Sequence, residues 1–227
     1  CEKKKNVGRK IQNFEKISKK YSVKRERELE RIVMEKKIAQ ILDECQRSFV
    51  PHAKSLIVLS KLREESESEF DSTFLSFSDF VLTRFKRDLS VERLITLFAQ
   101  FTQANSMFLP VIMKHMAMRS TSSSKAARLR SVQILKTILE KLPDDYEIED
   151  EEWNKIESVF LTRAEDKISA VRVHAIRGLE RLQDLENQQD PVTQCLLNHL
   201  LSDPSKSVRE AALATLAVSG RTFSVLC

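Results

Sequence analysis

Glycine and proline are scarce in this chain, which has 227 residues but only 3 glycines and 5 prolines. The phosphate loops and tight turns of α/β enzymes depend on glycine, so the composition argues against that class. No run of about 18 apolar residues is present, which is the length that a membrane-spanning helix requires. No apolar segment follows the basic start of the chain, so no secretory signal peptide is predicted.

Cysteine and histidine are also few, with 4 of each. The cysteines lie at positions 1, 45, 195 and 227, without C-x-x-C spacing, and the histidines are scattered. We therefore predict no metal site, no cofactor and no disulfide framework. Cys45 and Cys195 lie on apolar helical stripes and are expected in the core, as suits a protein of a reducing compartment.

Motifs that carry catalysis are missing from the sequence. It contains no glycine-rich phosphate loop, no nucleophile elbow and no H-E-x-x-H pair. Residues 144–152 hold seven carboxylates, but no apolar pocket is evident that could separate their pKa values. We interpret this run as an exposed loop, and we predict neither enzymatic activity nor a small-molecule substrate.

Positive charge is concentrated in two places, although the whole chain carries a net charge of only +5. Residues 1–37 contain 14 lysines and arginines against 6 acids. Residues 119–136 contain five bases and no acid. Such blocks indicate either a polyanionic partner or an ordinary solvated face, and charge alone does not decide between them.

Apolar periodicity predicts helices along most of the chain, and no alternating segment suggests a sheet. Asp190 followed by Pro191 is a strong helix start, since it combines an N-cap with proline at the first helical position. The predicted helices cover 24–48, 50–63, 69–87, 91–104, 106–118, 123–141, 150–164, 168–184, 191–202 and 205–219.

The C-terminal third of the chain repeats itself. At an offset of 37, Asp-x4-Val-Arg-x2-Ala-x3-Leu beginning at Asp166 recurs beginning at Asp203. A weaker copy lies 44 residues upstream, where Arg128 corresponds to Arg172 and Ser122 replaces the aspartate. Two-helix units of 35–45 residues are typical of HEAT and armadillo repeats.

The repeated polar residues predict a structural ladder. The aspartate lies in the turn between paired helices, and the arginine one turn later can reach the aspartate of a neighbouring repeat. Ala175 and Ala212 should be buried, because a small residue lets the helices approach closely. The predicted ladder consists of Asp166, Arg172, Asp203 and Arg209. Arg128 shares this register, so it can belong either to the ladder or to a ligand contact.

These observations predict an all-α HEAT-repeat α-solenoid, an armadillo-like superhelix. Residues 1–22 are predicted to be a flexible basic arm, with Ile11, Phe14 and Ile17 making few contacts with the repeats. Residues 23–227 are predicted to be the array of helix pairs, because a single pair cannot bury its apolar face.

Longer stretches resemble the N-terminal HEAT repeats of the condensin subunit 3 family, the chromosome-associated protein G type. The main stretches are AARLRSVQILKTILEKLPDDYEIEDEEWNKIESVFLTRAEDKISAVRVHAIRGLERLQD (126–184) and DPVTQCLLNHLLSDPSKSVREAALATLAVSGRT (190–222). HAKSLIVLSKL (52–62) and SVERLITLFAQF (90–101) are also similar, so the resemblance spans about 45–222. Since the family protein is several times longer, the resemblance implies a truncated array.

The resemblance implies a non-catalytic function. Subunits of this family bind the H-type kleisin of condensin, which bridges the SMC ATPases, and together they hold duplex DNA by its backbone. The expected location is the nucleus and mitotic chromosomes, with a cytoplasmic pool in interphase. The alternative is a HEAT-repeat protein–protein adaptor, such as a transport or phosphatase scaffold, without DNA binding.

Backbone binding requires only lysines and arginines in a row. The expected DNA contacts are the bases of the internal patch and of the end of an upstream helix: Arg84, Lys86, Arg87, Arg119, Lys125, Arg128 and Arg130. With about five phosphate contacts, a plot of the logarithm of the DNA-binding constant against the logarithm of the salt concentration would have a slope near −4 to −5. Lys125 and Arg130 are expected to lie outside the core register, so that charge reversal there should leave the fold intact.

Overall fold

The structure, a computed structural model, describes residues 25, 28–83, 88–143, 146, 149–184, 187 and 189–218. The predicted arm over 1–22, with Ile11, Phe14 and Ile17, lies outside the described residues. Backbone contacts divide the chain into one unit of residues 1–41 and a second of residues 42–227. Within the described parts, none of the helices has the length and apolarity needed to cross a membrane.

The first helix, α1, covers 28–47 and begins in the first unit. In that unit Met34 and Ile38 are buried, one helical turn apart on the same face. The last residues of α1 belong to the second unit, where Leu42 and Cys45 are buried. Leu29 and Val33, which belong to the apolar stripe that predicted this helix, are more than half exposed, so the buried face begins only at Met34.

Nine further helices follow in the described part of the second unit. They are α2 (His52–Glu65), α3 (Glu67–Leu82), α4 (Leu89–Ala104), α5 (Leu109–Ser120), α6 (Lys125–Lys141), α7 (Asp150–Ala164), α8 (Ser169–Gly178), α9 (Pro191–Ser202) and α10 (Lys206–Val218). Two short 3₁₀ turns, Ser106–Phe108 and Glu180–Leu182, precede α5 and follow α8. No strand occurs among the described residues, and the all-α HEAT-type prediction is confirmed.

Side-chain caps start several helices, and the one at Asp190 was predicted from the sequence. Asp190 accepts the backbone N–H groups of Val192 at 3.2 Å and Thr193 at 2.9 Å at the start of α9. Ser124 caps α6 and Asp88 caps α4 in the same way. Each cap satisfies backbone donors that have no partner inside the helix, which stabilises the start by about 1 kcal/mol.

The helices of the second unit form two layers. Successive even-numbered helices contact one another, from α2 to α4, α6, α8 and α10, while α3, α5, α7 and α9 form the odd-numbered layer. Contacts between α5 and α6, α7 and α8, and α9 and α10 join the layers into helix pairs. Stacked pairs of this kind bury a continuous core that a single pair cannot provide.

A cluster of phenylalanines fills the core near the start of this array. Phe74 stacks on Phe70 with ring centroids 5.2 Å apart, and it meets Phe98 edge-on at 5.1 Å. Phe101 and Phe108 complete the cluster, and all five rings are fully buried. Because such rings contribute large apolar areas, the cluster joins α3 and α4 to the 3₁₀ turn before α5.

Two predicted helices are shorter than their apolar pattern indicated. The helix predicted over 69–87 ends at Leu82, where the Thr83 hydroxyl donates to the Phe80 carbonyl at 2.8 Å. The helix predicted over 168–184 ends at Gly178 and continues as a 3₁₀ turn. Local hydrogen bonds and packing end these helices. The apolar period of the sequence carries no information about these two kinds of interaction.

The end of α8 depends on the absence of a side chain at Gly178. A Cβ there would overlap the ring of Phe160 on α7, which is fully buried. We expect Gly178→Ala to lower the free energy of unfolding by about 1–3 kcal/mol, although alanine normally favours a helix by about 1 kcal/mol over glycine. Urea unfolding followed by circular dichroism measures the change.

Phe160→Leu supplies the control, since a smaller side chain relieves the overlap. Gly178→Ala should cost less in the Phe160→Leu background than in the original chain. A higher melting temperature for Gly178→Ala alone would show that the contact does not constrain this position.

Candidate binding surface along the repeat turns

Arg172 of α8 binds Asp203 in the turn between α9 and α10 with both branches of its guanidinium. Its Nε and Nη2 atoms each donate to a carboxylate oxygen at 2.8 Å. Asp203 is buried, so this pair is held away from solvent. A bidentate pair of planar groups fixes orientation as well as distance, and it joins one repeat to the next.

An equivalent pair joins the preceding repeats. Arg128 of α6 donates to Asp166, in the turn between α7 and α8, through Nε at 2.6 Å and Nη2 at 3.3 Å. Arg163 adds a third donor to the same carboxylate at 3.1 Å. Arg128, which could have belonged to a ligand contact, therefore belongs to the ladder.

The arginine at this position in each of three successive repeats also binds the backbone of its own turn. The Nη1 atoms of Arg128, Arg172 and Arg209 donate to the carbonyl six residues earlier, at 3.1, 2.9 and 2.7 Å. The three helix pairs thus share one local geometry, with Ser122, Asp166 and Asp203 in equivalent places. The residues that repeat in the sequence at offsets of 37 and 44 therefore also have equivalent positions and backbone contacts in the structure.

The ladder aspartates are held in their charged form. Burial by itself raises the pKa of Asp203, but the Arg172 guanidinium, the Ser205 backbone N–H and His199 outweigh it and lower that pKa to about 2. Burial acts on Asp166 in the same direction, and Arg128 with the Ile168 backbone N–H lowers its pKa below the ordinary value. Both carboxylates therefore remain ionised at neutral pH.

We call the surface formed by the three turns, 121–124, 165–168 and 203–205, the turn edge. Because the ladder holds these turns side by side, residues next to them occupy one edge of the stack. Lys125, the first residue of α6, is exposed there, and Lys206 is exposed at the first position of α10. Lys167 in the turn before α8 is also exposed.

Lys167 and Lys206 were not among the residues predicted to bind DNA. The signal that could have found Lys206 was present, since it has the same place in its repeat as Lys125, three residues after the turn position. Lys167 stands one residue after Asp166 and does not share that register. The charge count over 119–136 drew attention to a single helix instead. Register across the repeats is therefore a better guide to the turn edge than local charge density.

The other predicted DNA contacts have different surroundings. Arg119 of α5 donates through Nε to Asp79 of α3 at 2.9 Å, and His115 lies 2.8 Å from the same carboxylate. This pair links two helices of the odd-numbered layer. Arg84, Lys86 and Arg87 lie outside the described residues.

The expectation that Arg130 lies outside the core register is wrong. Only 1% of Arg130 is exposed, and its Nη1 atom donates to the Gln133 side chain at 2.6 Å. Burial lowers the pKa of this guanidinium, and the nearby carboxylates of Glu92 and Asp88 oppose that effect. A DNA phosphate on the surface cannot reach this group while α4 and α6 keep their packing.

Within the described ranges, no three His, Cys, Asp or Glu residues come together as metal ligands. Burial raises the pKa of the Cys45 thiol and raises that of Cys195 to about 11, so both are protonated at neutral pH. Cys45 is fully buried as expected, whereas Cys195 is only partly so.

Stacked helix pairs and a buried ladder between them define a HEAT-type helical-repeat protein. No family model matches the chain. Among curated proteins, condensin complex subunit 3 of Homo sapiens is 26% identical over 212 residues, which is 83% of this chain and 20% of that protein. The Xenopus laevis subunit is 29% identical over 205 residues, covering 82% and 20%.

Condensin complex subunit 3 of Schizosaccharomyces pombe is 28% identical over 191 residues, covering 81% of this chain and 21% of that protein. Among solved structures, the crystal structure of the S. pombe condensin Cnd3–Cnd2 subcomplex matches 77% of this chain and 22% of the other, with a TM-score of 0.63 and 27% identity. The resemblance to condensin subunit 3 is thereby confirmed. The chain spans about a fifth of the length of these relatives.

We expect Arg172→Ala to lower the free energy of unfolding by about 3 kcal/mol at pH 7, because it leaves the buried Asp203 carboxylate without its main partner. The Asp203 pKa of about 2 lies below that of an unfolded carboxyl. Its stabilising contribution is therefore present above about pH 4 and is lost as the pH falls toward 2. The difference between the two proteins should narrow over that range in urea unfolding curves.

Arg177→Ala is the matched control, since Arg177 is exposed on the same helix and should change stability by less than about 0.5 kcal/mol. Equal losses for the two variants, or a loss by Arg172→Ala that does not vary with pH, would contradict a stabilising role for the pair.

Proposed function

We propose that this chain is the part of a condensin HEAT subunit that binds the H-type kleisin and the backbone of duplex DNA, without catalysis. The supporting observation is a resemblance to condensin complex subunit 3 over four-fifths of the chain, in sequence and in backbone. One matched structure holds such a subunit in a Cnd3–Cnd2 subcomplex. Through kleisin the chain would associate with the SMC ATPases on nuclear and mitotic chromosomes.

The geometry suits a scaffold for an extended partner. Each helix pair repeats the same turn, and the ladder fixes the spacing between neighbouring turns. Side chains at equivalent positions therefore recur at regular intervals along the stack. A kleisin segment or a DNA strand, both of which are extended, can contact several repeats at once.

The turn edge supplies the DNA contacts in this proposal. Lys125, Lys167 and Lys206 are exposed and belong to successive repeats. Lysine binds a phosphate as a point charge and does not read a base edge, so this surface favours affinity without sequence preference. Arg119 and the upstream group of Arg84, Lys86 and Arg87 remain candidates for further contacts.

Arg128 and Arg130 are no longer included among the proposed DNA contacts. Arg128 is committed to Asp166, and Arg130 is buried. Recruiting either would require breaking a buried ion pair or unpacking α6 from α4. The charge reversal of Lys125 with Arg130 is for the same reason a poor test, since a glutamate at position 130 would destabilise the fold.

We expect the triple variant Lys125→Gln, Lys167→Gln and Lys206→Gln to bind duplex DNA more weakly in the presence of kleisin. Its log–log salt slope should be shallower than that of the original chain by about 0.9 for each lysine lost. Fluorescence anisotropy with two unrelated duplexes at several salt concentrations measures this. The two duplexes should bind equally well.

Lys61→Gln, Lys114→Gln and Lys155→Gln form a control with the same loss of charge. These lysines are exposed within α2, α5 and α7, away from the turns. The salt slope of the control should match that of the original chain. If both triple variants lose affinity alike, the effect is one of net charge, and the turn edge is not the contact surface.

Kleisin binding has its own test. The chain and the H-type kleisin subunit of the same species, purified separately, should migrate as one complex in size-exclusion chromatography. Isothermal titration calorimetry then gives the stoichiometry, for which we expect one to one. Failure to associate, together with DNA binding that does not depend on salt, would leave the adaptor function as the better account.

A further inference from the structure

Helix α10 has an apolar residue that lacks the cover its counterparts have. Val132 on α6, Ile176 on α8 and Leu213 on α10 each follow the ladder arginine by four residues, so they lie on the same helix face as that arginine. Val132 and Ile176 are fully buried, whereas 45% of Leu213 is exposed. Helix α8 packs against α6 and α10 packs against α8, but no described helix follows α10.

The ladder arginine of α10 also has donors left over. Arg128 and Arg172 each use Nε and Nη2 on the aspartate of the next turn. Arg209 is partly buried and keeps the contact with its own turn, since its Nη1 donates to the Asp203 carbonyl at 2.7 Å. Among the described residues, none accepts a hydrogen bond from its Nε or Nη2. The guanidinium is thus held by one branch while two donors are available to a ligand.

We call the surface formed by Arg209 and Leu213 the end face of α10. The Nε and Nη2 donors of a guanidinium lie in one plane and match the two oxygens of a carboxylate. In the two earlier repeats, that carboxylate belongs to an aspartate in the turn between two helices. A partner of the same build would meet the positive charge and the apolar residue together, whereas a phosphate backbone would leave Leu213 uncovered.

A second copy of this chain does not offer that carboxylate from its described turns. Asp166 and Asp203 occupy the turn position in their repeats, and both are buried and already paired. The third turn has Ser122 at this position. Two end faces brought together would place the Arg209 guanidinium groups opposite each other, and their like charges repel.

We propose that the end face of α10 docks a helix pair of a partner protein that carries an aspartate in the turn between its helices. Arg209 Nε and Nη2 donate to that carboxylate, and the helix that follows the turn covers Leu213. The contact continues the ladder of this chain by one further pair. It does not depend on DNA or kleisin binding.

The test uses a peptide of residues 190–218 as the probe, because the same segment supplies the aspartate to Arg172 within the chain. The peptide with Asp203→Asn is its uncharged match. Nuclear magnetic resonance of the arginine Nε–H groups in the full chain follows binding. We expect the aspartate peptide to shift the Arg209 signal to saturation, with a Kd on the order of 0.1–1 mM, since ordering the peptide opposes binding.

The asparagine peptide should bind about tenfold more weakly, because an amide cannot accept both donors of the guanidinium. Arg209→Gln in the chain should remove this difference between the two peptides. Leu213→Gln should weaken binding of both peptides several-fold and keep the difference. Arg177→Gln, which changes an exposed base on α8, should leave both affinities unchanged. The Arg172 signal reports in each variant whether the ladder is intact.

Several results would overturn the proposal. They are equal binding of the two peptides, no saturable shift of Arg209, or an unchanged difference between the peptides in Arg209→Gln. Movement of the Arg172 signal would show that the peptide replaces the resident segment instead. A shift of Arg209 with rising concentration of the chain alone would assign the face to a second copy. Tighter binding by a chain that ends at Val218 would assign it to residues 219–227.

Inorganic phosphate and a short DNA duplex are titrated in parallel. If either shifts the Arg209 signal while the aspartate peptide does not, the end face is a phosphate site and the proposal is wrong. The expected result is a shift by the peptide at concentrations where phosphate and the duplex have no effect.

Discussion

The contact on which the rest of the repeat array depends is the arginine–aspartate pair between neighbouring turns. Asp166 and Asp203 are buried, and a buried carboxylate is tolerated only when hydrogen bonds and an opposite charge replace water. Arg128 and Arg172 supply both from the preceding repeat. Because the guanidinium binds with two donors in a plane, the pair sets the angle between repeats as well as their distance.

The ladder also determines which arginines are already paired within the fold. An arginine in the ladder register is buried in an ion pair, whereas a lysine at the start of the same helix is exposed. Lys125 and Arg128 are three residues apart on α6 and have these two different roles. The net charge of a segment is therefore a poor measure of its capacity to bind a polyanion, since part of that charge is already neutralised inside the protein.

Repetition gives the array two kinds of surface. Along the turns, the same hydrogen bonds recur and hold lysines of different repeats on one edge. On the even-numbered layer, equivalent positions differ from repeat to repeat, and Arg130 and His174 line a cavity where the next repeat has Ala211. A regular framework thus carries positions that recur in every repeat and positions that differ between repeats. The chain spans about a fifth of the length of the condensin complex subunit 3 relatives that it matches.

The sequence by itself determined the helical class, most helix boundaries and the register of the repeats. These follow from local periodicity, from caps such as Asp190, and from an offset that places Arg172 and Arg209 at the same point of successive turns. The tertiary structure alone decided the burial of Arg130, the pairing of Arg119 with Asp79 and the end of α8 against Phe160. A helical pattern shows which residues share a face, but not which neighbouring helices cover it. Arg130 is buried because α4 packs against its side of α6, and this contact depends on the stacking of whole repeats.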